Sequence, residues 1–142
     1  MLKLLLPIDG SEYSARAVDY AIRRAHAERD GAQVHLINVQ PQLATPHVKL
    51  LVSQDSLDDY YRDESEAVLA PAIKKLQDAK VSATAHSRVG HAVDHVIECC
   101  KAQQCDEIVI GTHGRGGFKG ALMGSVAQKV VHEAKVPVVL IR

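Results

Sequence analysis

The sequence predicts an α/β fold: a five-stranded parallel sheet, doubly wound, with helices on both faces. Short apolar runs bounded by turn residues alternate along the chain with longer segments in which apolar residues recur every three or four positions. This βαβαβαβαβ alternation is typical of a parallel sheet, because right-handed crossovers place the connecting helices on its faces. With 142 residues, 46% of them hydrophobic, we expect one domain over residues 1–142.

The first half of the chain begins with a buried strand. Residues 2–8 form a short apolar run that ends at Asp9-Gly10-Ser11, and they are too few for a helix. From Ser14 the apolar spacing becomes helical and ends near Gly31, which predicts an amphipathic helix. Residues 34–39 form the second predicted strand.

A long connection and a long helix follow the second strand. Residues 41–55 contain two prolines and show no period, so we predict a loop. Residues 56–79 return to helical spacing, and Pro71 is expected to kink this helix or to mark its true start. The residues predicted to share its apolar face are Tyr61, Val68, Leu69, Ile73 and Leu76.

The second half repeats the alternation. Residues 81–89 predict a third strand, residues 92–104 a helix, and residues 107–110 a fourth strand. Five glycines then fall within residues 111–120, before a helix over 125–134 and a last strand over 137–142. The helix over 92–104 is expected to present Val93, Val96, Ile97 and Cys100 on one face.

Charge and composition exclude several classes of function. Seventeen basic and seventeen acidic residues give zero net charge, which argues against binding to nucleic acid or to an anionic membrane. No apolar stretch approaches the ~18 residues of a membrane span, and the apolar start is too short for a signal peptide, so we expect a cytoplasmic protein. The three cysteines are expected to be reduced, with Cys99 exposed and inert, since adjacent Cys99 and Cys100 should not both face the core.

The loops after the first and fourth strands are the candidate binding site, because ligands of doubly wound sheets lie at the carboxyl ends of strands. Gly111 and Gly114 are expected to adopt backbone conformations closed to other residues. A helix that begins at Gly124-Ser125 would direct free amides toward an anion. The alternative is that Ser125 merely caps its helix and the glycines merely turn the chain. A Walker A loop is excluded because Gly117 occupies its lysine position, and no G-x-G-x-x-G follows the first strand.

Three segments carry a resemblance to a known family: residues 4–14 (LLLPIDGSEYS), residues 136–142 (VPVVLIR), and Gly111-Thr-His-Gly114 followed after nine residues by Gly124-Ser125. Together they resemble the universal stress protein family over the whole chain, and the spacing G-x2-G-x9-G-[ST] marks the ATP-binding branch of that family. The resemblance implies strand order 3-2-1-4-5, ATP between the first and fourth strands, and a homodimer formed through the last strand.

The resemblance also implies roles for individual residues. Gly114, Gly124 and Ser125 would hold the phosphates, and Gly111 would let the backbone approach the ribose. The remaining implied nucleotide-binding residues are Asp9 with Pro7 on the ribose and adenine side, Val39 at the adenine, His113 and Arg115 beside the phosphates, and Val126. For Asp9 the alternative role is a helix cap, with Glu12 three residues later as in a capping box.

Three functions remain open at this point. The first is a non-enzymatic, ATP-binding regulatory or protective protein of the stress response, in which occupancy orders a loop and changes the surface seen by an unknown protein partner. The second is a slow ATPase or phosphotransferase, although only Asp9 is available to help hold Mg²⁺ through the phosphates. The third is an interaction module that never binds nucleotide. We expect no catalytic residues.

A metal site is the other pattern considered. His91, His95 and Cys99 recur at four-residue spacing and would present three ligands on one helix face. A solvent-facing polar stripe without a fourth ligand has the same spacing, and we therefore expect no native metal site here.

Overall fold

The computed structural model describes residues 1–43, 45–114 and 123–142. Its sheet has five parallel strands in the order β3-β2-β1-β4-β5, which confirms the predicted fold and strand order. The strands are β1 (Leu2–Pro7), β2 (Ala32–Gln40), β3 (Ser82–Val89), β4 (Glu107–Gly111) and β5 (Val138–Ile141). The helices of the described residues are α1 (Glu12–Ala27), α2 (Pro46–Leu51), α3 (Gln54–Asp78), α4 (Ala92–Ala102) and α5 (Ser125–Glu133).

The central strand β1 is buried on both faces and so separates two hydrophobic cores. Leu4, Leu5 and Leu6 are all fully buried, and successive side chains point to opposite faces of the sheet. Leu4 and Leu6 pack with α1 and α3, whereas Leu5 packs with Ile37 of β2 and with α4 and α5. This explains why β1 is a continuous apolar run rather than an alternating one.

The connection after β2 is not wholly a loop. The predicted loop over residues 41–55 is wrong for Pro46–Leu51, which form α2. Thr45 caps this helix, its side chain accepting a hydrogen bond from the Val48 N–H at 3.3 Å. Pro46 begins the helix because the first helical residue needs no intrahelical N–H donor.

Pro71 lies inside α3 and does not mark its start. The helix begins at Gln54, after Ser53 accepts a hydrogen bond from the Ser56 N–H. Its buried face runs without interruption past the proline, and the predicted members Val68 and Ile73 are half-buried at its margin. The buried residues are Leu57, Tyr61, Ser65, Leu69, Ala72 and Leu76.

The three cysteines are all buried and free, so the prediction of an exposed Cys99 is wrong. Cys99 is only 4% exposed, since α4 packs against both the sheet and α5 and therefore buries a wide face. Burial raises the pKa of all three thiols, that of Cys105 to about 12. No helix of the described residues is long and apolar enough to cross a membrane.

Candidate functional site

A cleft of about 520 Å³ opens at the carboxyl ends of β1, β2 and β4. It lies at the boundary between β1 and β4, where the crossovers of a doubly wound sheet diverge. Nine of the ten residues implied by the resemblance line it; the tenth, Arg115, lies outside the described residues. The nine are Pro7, Asp9, Val39, Gly111, His113, Gly114, Gly124, Ser125 and Val126.

The turn that carries Asp9 is fixed by hydrogen bonds to β2. The Ile8 N–H donates to the Ile37 carbonyl at 2.8 Å, which extends the β1–β2 pairing beyond the strand end. In return, buried Asn38 donates from Nδ2 to the Ile8 carbonyl at 2.8 Å. Gln40 then donates to Asn38 Oδ1 at 2.8 Å and holds that amide in place. The backbone before Asp9 is thus rigidly positioned.

Asp9 is not the cap of α1, so the capping-box alternative is wrong. Ser11 is the N-cap, and its hydroxyl oxygen accepts a hydrogen bond from the Ser14 N–H at 3.1 Å. Asp9 instead accepts the Ser11 N–H at Oδ1, 2.9 Å away. This bond holds the carboxylate at the side of the cleft while Ser11 satisfies the helix end.

Close contacts, rather than backbone conformation, limit the side chain at positions 111 and 114: Cβ and backbone atoms of α1 at 111, and the end of the Asp9 side chain at 114. Neither residue has a positive φ, contrary to expectation. A Cβ at Gly111 would lie 2.6 Å from Cβ of Tyr13, so α1 packs directly on the end of β4. A Cβ at Gly114 would lie 2.6 Å from Asp9 Oδ2, which places the carboxylate against the glycine loop.

The N-terminus of α5 forms the opposite side of the cleft. Gly124 is the N-cap and makes no side-chain cap, so the alternative that Ser125 merely caps its helix is wrong. Ser125 is instead the first helical residue, where backbone N–H groups have no intrahelical partner. The Gly124 N–H donates to the Thr112 carbonyl, which ties the helix start to the end of β4.

His113 contacts Tyr13 of α1 and its own neighbour Thr112, which follows β4. Its Nδ1 lies 3.0 Å from the Thr112 hydroxyl, and its ring centroid lies 5.1 Å from that of Tyr13. Arg16 lies over the same tyrosine ring at 5.2 Å. Sequence reasoning missed Tyr13, whose importance arises from contacts about 100 residues away along the chain.

Sequence reasoning also missed the part of the cleft that follows β2 and β3. Pro41 follows β2, and Gly90, His91 and Ala92 follow β3, all at the same edge of the sheet. The rule that ligands lie at the carboxyl ends of strands applies equally to these segments and would have found them. His91 is the N-cap of α4 and makes no side-chain cap, so a second helix N-terminus lines the cleft.

The three residues considered as metal ligands, His91, His95 and Cys99, do not converge. His95 Nε2 lies 3.1 Å from the Val89 carbonyl, whereas Cys99 is buried in the core between α4 and the sheet. Within residues 1–43, 45–114 and 123–142, no three His, Cys, Asp or Glu side chains are arranged to hold a metal ion.

Comparisons with known proteins agree with the fold and with the family that the sequence resembles. The model of the universal stress protein family matches residues 1–142. A universal stress protein of Methanocaldococcus jannaschii is 26% identical over 141 residues, which cover 99% of this chain and 81% of that protein. One from Mycolicibacterium smegmatis is 32% identical over 145 residues, but this chain spans only 46% of its length.

Solved structures share the architecture over nearly the whole chain. Universal stress protein UspA from Lactobacillus plantarum has a TM-score of 0.83 at 20% identity, covering 99% of this chain and 97% of that one. A universal stress protein in complex with cAMP has a TM-score of 0.68 at 24% identity, covering 99% and 96%. The Archaeoglobus fulgidus protein in complex with dAMP has a TM-score of 0.68 at 19% identity, covering 100% and 98%. The chain belongs to the universal stress protein family.

Proposed function

We propose that this protein is a non-enzymatic regulatory protein of the stress response that binds ATP with Mg²⁺ in the cleft. The observation that carries the proposal is the division of this one cleft into an apolar wall and a polar end with an uncapped helix N-terminus. An adenine nucleotide has the same division, between its base and its phosphates. The cleft volume lies within the ~300–1,000 Å³ usual for small-molecule sites.

The apolar wall suits a planar base. Ile37 and Val39 come from β2, and Val96 comes from α4 on the same side of the sheet. Burying ring surface there is favourable, because apolar burial stabilises by roughly 25 cal/mol per Å². The solved relatives bound to cAMP and dAMP hold adenine nucleotides, which supports the same ligand class here.

The polar end suits phosphates. The amides that begin α5 have no side-chain cap at Gly124, and a helix N-terminus favours an anion by roughly 0.3–1 kcal/mol. The Ser125 hydroxyl adds a donor, and the absence of a side chain at Gly114 leaves the backbone accessible. Asp9, packed against Gly114, is the carboxylate placed to help hold Mg²⁺ through the phosphates.

The composition of the cleft favours binding over turnover. Among the described residues that line it, Asp9 is the only carboxylate. A hydrolase needs a group that orients water besides the group that helps hold Mg²⁺. One carboxylate serves one of these tasks, so from the described residues we expect slow hydrolysis at most. We infer that nucleotide occupancy acts instead on the chain between the two halves of the glycine motif, and thereby on a surface that a protein partner contacts.

We further propose a cytoplasmic homodimer that forms through β5. This strand is an edge of the described sheet, paired with β4 on one side. Val139 and Ile141 pack on the core, whereas Leu140 is 40% exposed. An apolar edge strand favours pairing with a second copy.

A thermal-shift measurement with MgATP tests the nucleotide proposal. At 100 times its Kd, a ligand adds about 2.7 kcal/mol of stability, which raises the melting temperature of a domain of this size by roughly 5–10 °C. Gly124→Val/Ser125→Ala should abolish the shift, since valine occupies the phosphate position and alanine removes a donor. Asp9→Asn should weaken the shift without abolishing it.

A charge substitution separates loss of binding from loss of folding. Ser125→Asp places a negative charge where it stabilises the start of α5 but repels a phosphate. It should keep or raise the unliganded melting temperature and lose the ATP shift. Ser53→Asp, at the N-cap of α3, is the matched control and should keep the shift. A wild-type protein that purifies without nucleotide and does not respond to millimolar MgATP would overturn the proposal, as would an unchanged shift in Ser125→Asp.

A further inference from the structure

Buried His35 and half-buried His86 form a pair on the strands that lead into the cleft. His35 of β2 and His86 of β3 place Nδ1 and Nε2 3.0 Å apart, and their rings stack at 5.3 Å with 26° between the planes. His35 is 4% exposed, and its Nε2 is the one buried side-chain nitrogen or oxygen of the described residues without a hydrogen-bond partner. The pair takes no part in the proposed nucleotide site.

The contacts select one tautomer for each ring. A hydrogen bond between the two nitrogens needs one proton, carried either by His35 Nδ1 or by His86 Nε2. If His86 donated, neutral His35 would carry its proton on Nε2, and a buried N–H without a partner costs ~1–3 kcal/mol. If His35 donates from Nδ1, its Nε2 has only an unpaired lone pair. The favoured state is therefore His35 Nδ1–H donating to His86 Nε2, with both rings neutral.

Adding a proton is unfavourable at either ring, for a different reason in each case. A proton on His86 Nε2 would face the His35 N–H across 3.0 Å and replace the hydrogen bond by repulsion. A proton on His35 Nε2 would leave the Nδ1 hydrogen bond in place but would put a positive charge, and an N–H without a partner, in a buried position.

The surroundings of the pair oppose protonation as well. Burial lowers the pKa of His35, and His86 and Lys3 of β1 lower it further. Burial and Arg88 of β3 likewise lower the pKa of His86. Helix α4 packs on this face of β2 and contributes the Cys99 thiol. Burial raises the pKa of this thiol and keeps it neutral, so it offers no negative charge to a protonated histidine.

We propose that the His35–His86 pair is a proton-sensitive contact that holds β3 against β2 at neutral pH and releases it in acid. Release of β3 would affect the cleft, because of where the pair lies in the sheet. β3 is an edge strand whose residues are exposed except for half-buried His86. His86 lies opposite Ile37, and Ile37 and Val39 form the cleft wall on the same face of β2 as His35. β3 leads directly into Gly90 and His91, which line the cleft, so we expect a loosened β3 to loosen that side of the cleft.

The sign of the pH dependence follows from the lowered pKa values. The unfolded chain binds protons at pH values where the folded pair stays neutral, so stability is full above the unfolded pKa of ~6.5 and falls below it. A histidine that stays neutral in the fold at pH 5 raises the unfolding constant about 30-fold between pH 8 and pH 5.

Urea unfolding at pH 8 and pH 5 tests the proposal. The proteins compared are wild type, the double variant His35→Leu/His86→Gln and the control variant His132→Gln, which replaces an exposed histidine of α5. The wild-type unfolding constant should rise at least about 30-fold more than that of the double variant, and the control should follow wild type. Between pH 8 and pH 5, the amide-exchange protection factors of residues 82–89 should fall more than those of α1. Equal pH responses of wild type and double variant would refute the idea.

Imidazole ¹⁵N spectra of the wild-type protein give an answer that does not depend on whether the double variant folds. At pH 8 they should show His35 protonated on Nδ1 alone, and on acidification both rings should resist protonation until β3 is released. A proton on His35 Nε2 at pH 8, or two rings that titrate near pH 6.5 in an intact sheet, would overturn the proposal. Neither experiment requires nucleotide, so the outcome is independent of the proposed function.

Discussion

Gly111→Ala separates the structural use of a motif glycine from its implied use in binding. The resemblance implies that this glycine lets the backbone approach a ribose, whereas the structure places α1 directly on it. A Cβ at position 111 would lie 2.6 Å from Cβ of Tyr13, 3.1 Å from the Tyr13 carbonyl carbon and 3.3 Å from the Ser14 nitrogen. Two of these three atoms belong to the backbone, so a change of rotamer does not relieve the contact.

The magnitude follows from the overlap. Carbon atoms pack at about 3.5–4.0 Å, so α1 and β4 must separate by about 1 Å. Both elements are well packed, since Val109 and Ala17 are fully buried. Overpacking of this kind costs typically ~1–3 kcal/mol. Taking ~2 kcal/mol and an unfolding entropy of ~2.1 cal/mol/K per residue, the melting temperature should fall by about 7 °C.

Calorimetry of nucleotide-free protein is the assay, and Gly124→Ala is the matched control. At position 124 the nearest contact of a Cβ is 3.3 Å, to the Thr112 carbonyl oxygen, so the main cost is that of alanine at the N-cap of α5, about 1 kcal/mol. Gly111→Ala should therefore destabilise the unliganded protein more than Gly124→Ala does. An unchanged melting temperature for Gly111→Ala, or the reverse order of the two variants, would show that packing against Tyr13 does not require glycine at 111.

Two further predictions concern the sheet edge and the thiols. Leu140→Lys should convert a dimer to a monomer in sedimentation velocity, because a charge on the β5 edge opposes strand pairing. Val139 is unsuitable for this test, since it packs on the core. A monomeric wild-type protein at micromolar concentration would exclude the dimer. The three buried thiols should react with a thiol reagent at pH 8 only as fast as the chain opens, with burial raising the pKa of Cys105 to about 12. Rapid labelling of folded protein, or an ATP affinity that changes on adding dithiothreitol, would contradict inert thiols.

The sequence by itself predicted the features that depend on local pattern. Apolar runs and helical spacing predict the five strands and most helices, since each pattern reflects which side of one element faces the core. The glycine spacing predicts the start of α5 at Gly124-Ser125. The family resemblance, to which that spacing contributes, predicts the strand order. The prediction of a loop over residues 46–51 was wrong because Pro46 can begin a helix as readily as it can interrupt one.

Tertiary structure decided the features that depend on residues far apart in the chain. Gly111 meets Tyr13, Asp9 meets Gly114, and His35 meets His86 across 51 positions, and no local period encodes such meetings. Burial of Cys99 was likewise decided by packing, since α4 is covered by both the sheet and α5. The physical reason is the same in each case: helix and strand periods specify which face of an element is buried, but only the assembled sheet brings particular side chains within contact distance.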